Sequence, residues 1–161
     1  MRANTETVEE LEALYRARYR HFLRVARLIT RNEERAHDAV QEGFAASFRA
    51  RRTHRGEGPL EAWVWRAVVN AAKKQKRHNP GIALGAMPAS SAEDSGADDE
   101  RVRAWIASLP EQQRLAVFLR YYADLDYRAI ATILDVAVGT VSATLNAAHQ
   151  RLRSEMQEVP R

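Results

Sequence analysis

The sequence has 161 residues, and its 25 Lys or Arg against 21 Asp or Glu give a formal net charge of +4. This length predicts one domain or two small ones, and 45% hydrophobic with 29% charged residues is typical of a globular protein. The absence of cysteine excludes a disulfide framework, a thiol nucleophile and a cysteine-based zinc site. No apolar run reaches the roughly 18 residues of a membrane span, and the polar N-terminus has no apolar signal core, so we expect a cytoplasmic protein without membrane insertion.

The charge is distributed unevenly along the chain. Residues 1–79 contain 17 basic and 10 acidic residues, a net charge of +7, and residues 101–161 contain 8 and 6, a net charge of +2. Residues 80–100 contain five acids and no Lys or Arg. Since this middle segment has little to bury, it predicts a flexible acidic linker between two domains. The alternative is a long surface loop inside one domain, but structureless loops of about 20 residues are uncommon in compact domains.

Apolar residues recur at helical spacing in every periodic segment, and no segment alternates like a strand. The sequence therefore predicts an all-α fold of two small helical domains. In the N-terminal domain we expect helices at about 7–30, 33–51 and 60–78 and a Gly- and Pro-containing loop at 53–59. Acidic residues in the first turn of the second helix suit the helix dipole.

The C-terminal segment has the spacing of a helix-turn-helix. A short helix is predicted around 102–109, and Ser108-Leu-Pro-Glu111 has the spacing of a capping box for the helix that follows. Asp126 can cap the next helix, and a tight turn at 135–138 leads to a last helix with a 3.6-residue apolar period. The apolar residues of this last helix are Val141, Leu145, Ala148 and Leu152.

Three blocks of sequence together resemble bacterial RNA polymerase sigma factors of the extracytoplasmic-function (ECF) type. AHDAVQEGFAASFR (36–49) is similar to the family's helix that binds core polymerase, and GPLEAWVWRAVVNAAKKQKR (58–77) is similar to the segment after it. Residues 109–153 resemble the C-terminal DNA-binding domain, with Leu-Pro-Glu-x-x-Arg at its start and Gly-Thr-Val opening the second helix of the motif. The blocks cover about half of the chain, in the family's order and spacing.

This resemblance implies a promoter-specificity subunit of bacterial RNA polymerase. The N-terminal domain, 1–79, would bind core polymerase and the −10 element. The C-terminal domain, 101–161, would bind the −35 element and the polymerase flap, and the holoenzyme would melt the DNA for transcription initiation. Core RNA polymerase and promoter DNA are then the expected partners, and an anti-sigma factor stays open as a third.

The polymerase-binding residues that the resemblance implies are Asp38, Gln41 and Glu42. Their spacing of i, i+3 and i+4 places them on one face of a helix. The family would set this face against the clamp helices of the largest polymerase subunit. Without the resemblance, a solvated polar face would be the default interpretation.

Basic residues flank the third helix, and the resemblance assigns this region to the −10 element. Cations can hold phosphates, and an aromatic ring can stack on an unpaired base. Trp63 and Trp65 cannot both point inward from positions two apart on a helix, so we expect Trp63 in the core and Trp65 toward DNA or a partner. A solvated basic surface is the alternative. The implied residues are Arg49, Arg51, Arg52, Arg55, Trp65, Asn70, Lys73, Lys74, Lys76 and Arg77.

The predicted recognition helix carries little charge. Such helices normally offer Arg or Lys to guanine edges and phosphates, whereas hydroxyl and amide side chains predominate here. Asp135 stands where the family usually has Gly, and Ala137 stands where it usually has a Ser cap. Asp tolerates the left-handed conformation better than most residues, so the turn can form. The residues implied for the −35 element are Arg128, Thr140, Ser142, Thr144, Asn146 and Arg151.

Three rival functions fit the sequence less well. An enzyme is disfavoured because the sequence has no Gly-rich phosphate loop or HExxH, and its histidines lack metal-ligand spacing, so we expect no catalytic residue, metal or cofactor. A polymerase-binding regulator without promoter specificity would fit the weakly charged recognition helix. A helix-turn-helix repressor would usually dimerise on a palindrome, and the block at 36–49 would then have no purpose.

Overall fold

The structure is a computed structural model that describes residues 2–54, 56, 58–78 and 97–158. Most of these residues are helical. The helices are α1 (Arg2–Thr30), α2 (Glu33–Ala50), α3 (Leu60–Arg77), α4 (Ala97–Ser108), α5 (Glu111–Val117), α6 (Tyr127–Leu134) and α7 (Val138–Gln157). A 3₁₀ turn at Arg51–Thr53 follows α2, and a π-helical turn at Phe118–Tyr122 extends α5. No strand occurs among these residues, so the predicted all-α fold is confirmed.

The first three helices pack around fully buried side chains. The ring centroids of Phe22 and Trp65 lie 4.0 Å apart, and Val40 of α2 is also fully buried. Gly43 allows α2 to approach α3, because a Cβ at that position would lie 2.7 Å from Val68 Cα and 2.8 Å from Val68 N. The N-terminal bundle therefore needs a glycine at this point of contact.

The last two helices form the predicted helix-turn-helix, bent by 99° between α6 and α7. Asp126 caps α6, since its Oδ1 accepts a hydrogen bond of 2.8 Å from the Ala129 N–H. Asp135 takes the left-handed conformation at φ 56°, as the turn requires. No single helix in the described ranges is long and apolar enough to cross a membrane, and α6 with α7 reaches that length and composition only as this bent pair.

Two predictions at the start of the C-terminal domain are corrected. The capping box does not form, because Ser108 still belongs to α4 and its hydroxyl donates to the Trp105 carbonyl at 2.6 Å. Glu111 opens α5 but pairs with Lys76 Nζ at 2.8 Å instead of reaching back to a cap. Helix α4 begins at Ala97, inside the predicted linker, while residues 79–96 lie outside the described residues.

The two helical domains contact each other along what we call the interdomain seam, where α3 packs on α6, and α1 on α5 and its π-helical turn. The rings of His21 and Tyr122 lie 4.6 Å apart, and the Arg24 guanidinium lies 4.8 Å from the Tyr122 ring centroid. The buried side chains of both domains form one continuous apolar cluster. The sequence predicted two domains but not this contact between them.

Candidate polymerase-binding and DNA-binding surfaces

The polar face of α2 has the arrangement that the sequence predicted. Asp38 and Gln41 are exposed, and Val40 on the opposite side of the helix is fully buried. Glu42 is half-buried, and its Oε1 accepts a hydrogen bond of 3.1 Å from Lys74 Nζ on α3. Asp38 and Gln41 are therefore the more accessible pair of the three predicted residues.

A hydrogen-bond network beside this face ties α1 to the start of α2. The Tyr19 hydroxyl shares a hydrogen bond with His37 Nδ1, and His37 Nε2 lies 3.2 Å from Glu33 Oε1. Arg27 donates to Glu33, and this hydrogen bond lowers the pKa of the Glu33 carboxyl. Burial raises the pKa of the Tyr19 hydroxyl. The network therefore links α1 to the start of α2 beside Asp38.

The exposed face of α3 carries Trp63, Arg66 and Asn70 at i, i+3 and i+7, which places all three on one side of the helix. With Ser47 and Ala50 of α2, these residues line a cleft of about 260 Å³. Arg66 is not among the residues predicted from the sequence, although its spacing from Asn70 is visible there. The combination of a ring, a cation and an amide can stack on a base, hold a phosphate and bond a base edge.

The assignment of the two tryptophans was wrong. Trp65 is fully buried, with its Nε1 donating to Glu61 Oε1 at 3.4 Å, so it cannot touch DNA in this fold. Trp63 is half-buried and stacks on His54, with 5.0 Å between ring centroids and 25° between planes. The buried face of α3 consists of Trp65 with several alanine and valine residues, and it does not include Trp63. Trp63 is therefore the indole at the surface.

The recognition helix α7 divides its predicted residues between two flanks. Val141, Leu145 and Ala148 are buried, as their period predicted. One flank of α7 carries Thr140, Thr144 and Arg151, at spacings of four and seven residues. The other flank carries Ser142 and Asn146. Arg128 is exposed near the start of α6 and lines a cleft with Trp63 instead.

Comparisons with known proteins give a separate family match for each of the two helical domains. Residues 14–80 match the family described as Sigma-70 region 2, and residues 99–152 match Sigma-70, region 4. The ECF RNA polymerase sigma-E factor of Escherichia coli is 33% identical over 89% of this chain and 85% of its own length. That of Haemophilus influenzae is 32% identical over 83% of this chain and 82% of its own length.

The chain belongs to the ECF sigma factors of RNA polymerase. It is therefore a promoter-recognition subunit of that enzyme, as the sequence predicted. Two solved structures share the fold of this sigma factor. The sigma factor RpoE of Bartonella quintana, in complex with the anti-sigma factor NepR, superposes with a TM-score of 0.72 at 20% identity over 96% of this chain and 99% of that one. CnrH, in complex with the cytosolic domain of CnrY, gives 0.70 at 18% identity over 99% and 95%.

The basic residues of this sigma factor do not form one patch. Arg49 and Arg52 are exposed, whereas Arg51 Nη1 donates to the Phe48 carbonyl at 2.7 Å and its guanidinium lies over the Phe48 ring. Arg55 lies outside the described residues. Lys74 pairs with Glu42 and Lys76 with Glu111, at 3.1 and 2.8 Å, while Lys73 and Arg77 line a cleft of about 700 Å³ between the domains. Several predicted DNA contacts of α3 thus have partners within the chain.

The His21 imidazole on the seam predicts a pH-dependent stability of this sigma factor. Burial lowers its pKa below the usual 6.5, the charges of Arg18 and Arg24 lower it further, and Glu61 opposes them. Its Nδ1 is buried without a hydrogen-bond partner, and its ring packs on Tyr122. Because the unfolded chain binds this proton more readily, the stabilisation is complete above about pH 6.5 and is lost as the pH falls through and below that value.

We expect His21→Gln to flatten this part of the pH dependence. Thermal unfolding measured between about pH 7.5 and about pH 5.5 should show a smaller loss of stability for His21→Gln than for the wild type. His78→Gln, which removes an exposed histidine, is the control and should keep the wild-type slope. An unchanged slope in His21→Gln would show that His21 does not cause it.

Proposed function

We propose that this sigma factor binds core polymerase through the α2 face centred on Asp38 and Gln41. The observation that supports this most directly is that both side chains are exposed on a helix whose opposite face is buried, and that they make no hydrogen bond within the described residues. Glu42 contributes less, since Lys74 already neutralises it. A charged, preorganised and unpaired surface is suited to docking on a complementary protein face.

The test is a charge reversal at the centre of this face. Asp38→Lys should lower the affinity for core polymerase about tenfold or more, which corresponds to about 1.4 kcal/mol. Glu10→Lys makes the same change at an exposed position of α1 and should bind like the wild type. Fluorescence anisotropy with labelled sigma factor measures both, and equal affinities for the two variants would exclude this face as the polymerase contact.

The −10 element is proposed to bind the exposed side of α3, with Trp63 stacking on an unpaired base and Asn70 bonding a base edge. Arg66 and Lys73 lie on the same side, about one and three turns after Trp63, and are proposed to hold phosphates. Trp63 replaces Trp65 in this role, because only Trp63 reaches the surface. The −35 element is proposed to bind the hydroxyl and amide side chains of α7, together with Arg151, which follows them along the helix.

These assignments predict that substitutions in α3 and in α7 differ in their effect on the salt dependence of open-complex formation. Arg66→Ala with Lys73→Ala should lower open-complex formation and reduce the slope against log salt by about one unit for each lost phosphate contact. Arg16→Ala with Arg20→Ala removes the same charge from α1 and should leave the slope near that of the wild type. Thr144→Ala with Asn146→Ala should lower complex formation modestly without changing the slope. If only this last pair changed promoter opening, the assignment of phosphate contacts to Arg66 and Lys73 would be wrong.

A polymerase-binding regulator without promoter specificity is the second candidate function. The observation in its favour is that α7 carries no Lys or Arg before Arg151. Transcription from a selected promoter by core polymerase and this chain discriminates between the two, because the regulator would assemble with polymerase and direct no initiation.

We also propose that this sigma factor acts in the cytoplasm with core polymerase and is not itself an enzyme, since the polymerase performs the chemistry. Among the described residues no group of three or more His, Asp or Glu side chains could hold a metal ion. An anti-sigma factor is proposed as a third partner, on the support of the relative solved in complex with NepR.

A further inference from the structure

A cleft between the two domains is lined by the ends of α1 and α3 and by residues of α5 and α6. We call it the basic cleft. Its volume is about 700 Å³, and the buried aliphatic side chains of Ile29, Leu115 and Leu134 form part of its lining. Pockets of this size that combine an apolar lining with a few polar groups are typical of small-molecule sites. Of the residues proposed above to bind polymerase or DNA, only Lys73 belongs to it.

Positive charge dominates the polar part of the basic cleft. The lining contains four cations and one carboxylate, which are Arg31, Lys73, Lys76, Arg77 and Glu111. The Glu111 carboxylate pairs with Lys76 Nζ at 2.8 Å. The side chains of Arg31, Lys73 and Arg77 make no hydrogen bond or ion pair within the described residues. Because like charges repel more strongly next to apolar side chains, these three cations favour an anion in the cleft.

A further cation, Arg114, lies on α5 next to Leu115 of the lining. It is only 8% exposed, and its side chain makes no hydrogen bond or ion pair in the part of the chain that the structure describes. Burial lowers the pKa of its guanidinium, and the nearby charge of Arg31 lowers it further, while Glu111 opposes them. A guanidinium keeps its proton in proteins, so an anion held near Arg31 also compensates this buried charge.

The backbone at Arg31 has a conformation that favours glycine. Its φ is 53°, and its N–H donates to the Arg27 carbonyl at 2.8 Å where the chain leaves α1. Glycine is usual at such a helix end, because a Cβ is strained in the left-handed region. Non-glycine residues held in this region occur preferentially at functional sites. The charge of this arginine, rather than local stability, therefore explains its presence at the cleft.

We propose that the basic cleft binds a nucleoside di- or triphosphate. In this site Arg31, Lys73 and Arg77 hold the phosphates through charge-assisted hydrogen bonds, and the base packs on the aliphatic lining. Inorganic phosphate or sulfate leaves this lining unused, and an uncharged apolar ligand leaves the three cations without an anion. A DNA duplex carries its phosphates on a convex outer surface, so it contacts exposed faces and does not enter a cleft between two domains.

The test is nucleotide binding to the free full-length chain, without polymerase or DNA, so its result does not depend on the proposed function. Isothermal titration calorimetry at about 0.15 M salt compares ATP, GTP and their diphosphates with tripolyphosphate, adenosine and guanosine. At least one nucleotide should bind with one molecule per chain. Tripolyphosphate should bind about tenfold more weakly, because it cannot use the aliphatic lining, and the nucleosides should show no binding.

Two outcomes of this titration would overturn the inference. One is the absence of binding by all of the nucleotides. The other is equal affinity for tripolyphosphate and the nucleotides, which would indicate an adventitious polyanion only.

Two substitutions in the basic cleft and two matched controls locate the site. Arg31→Gly removes a cation and relieves the left-handed backbone, so it should unfold at or above the wild-type temperature and bind nucleotide about tenfold more weakly. Gln112→Glu adds a carboxylate at an exposed lining position and should weaken binding to a similar degree. Arg153→Gln and Gln150→Glu make the same charge changes on exposed residues of α7 and should bind like the wild type. Equal losses in all four variants, or wild-type affinity in both cleft variants, would contradict the site.

Discussion

Replacing Trp65 by alanine should lower the free energy of unfolding by about 3–5 kcal/mol, the range for removing a fully buried indole. Trp65 is 0% exposed and packs on Phe22 at the centre of the N-terminal bundle. The resulting cavity cannot be refilled without moving α1 or α3. Chemical denaturation followed by circular dichroism measures this loss, and we expect an unfolded or aggregation-prone variant at elevated temperature.

The matched substitution Trp63→Ala should affect function instead of stability. Its indole is half-buried and stacks on His54 at the surface, so its removal leaves no closed cavity. We expect near-wild-type unfolding, near-wild-type affinity for core polymerase and strongly reduced promoter opening. A large loss of stability in Trp63→Ala, or normal promoter opening by it, would show that this indole does not have the proposed role.

A second large effect is expected at Gly43, where alanine should destabilise the protein. Gly→Ala in a helix interior ordinarily stabilises by about 0.5–1 kcal/mol. At Gly43 the new Cβ would lie under 3 Å from the backbone of Val68, so α2 and α3 must separate, and overpacking of this kind costs about 1–3 kcal/mol. The sign of the effect is therefore reversed.

Gly139 provides the control for this substitution. It lies in the first turn of α7, and a Cβ there would meet no atom within 4 Å. Gly139→Ala should therefore keep or raise stability by up to about 1 kcal/mol. Denaturation midpoints of the two variants should move in opposite directions, and a Gly43→Ala variant as stable as Gly139→Ala would contradict the close approach of α2 and α3.

Local sequence signals predicted the local structure well. The apolar periods located the helices, Asp126 was correctly assigned as a cap, and Asp135 adopts the left-handed turn. These features depend on residues close together in the sequence, where side-chain chemistry and backbone geometry decide the outcome. The polar face of Asp38 and Gln41 followed from helical spacing for the same reason.

Features that depend on tertiary packing could not be predicted from periodicity. Trp63 and Trp65 differ in burial because Phe22 of α1 packs on the side of α3 that carries Trp65. The sequence of α3 alone does not indicate that contact. Glu111 was expected to cap its own helix, but Lys76 from the other domain holds its carboxylate. The seam as a whole arises from contacts such as His21 with Tyr122, which are 101 positions apart in the chain.

The most direct test of promoter recognition is selection of random duplex DNA by core polymerase with and without this chain. The holoenzyme should enrich fragments that share two conserved elements at a fixed spacing and should initiate transcription from them, while core polymerase alone enriches none. The Trp63→Ala holoenzyme should retain assembly but lose this enrichment. A holoenzyme that assembles fully yet enriches no common sequence and starts no transcription would contradict promoter recognition and favour a regulator that only binds polymerase.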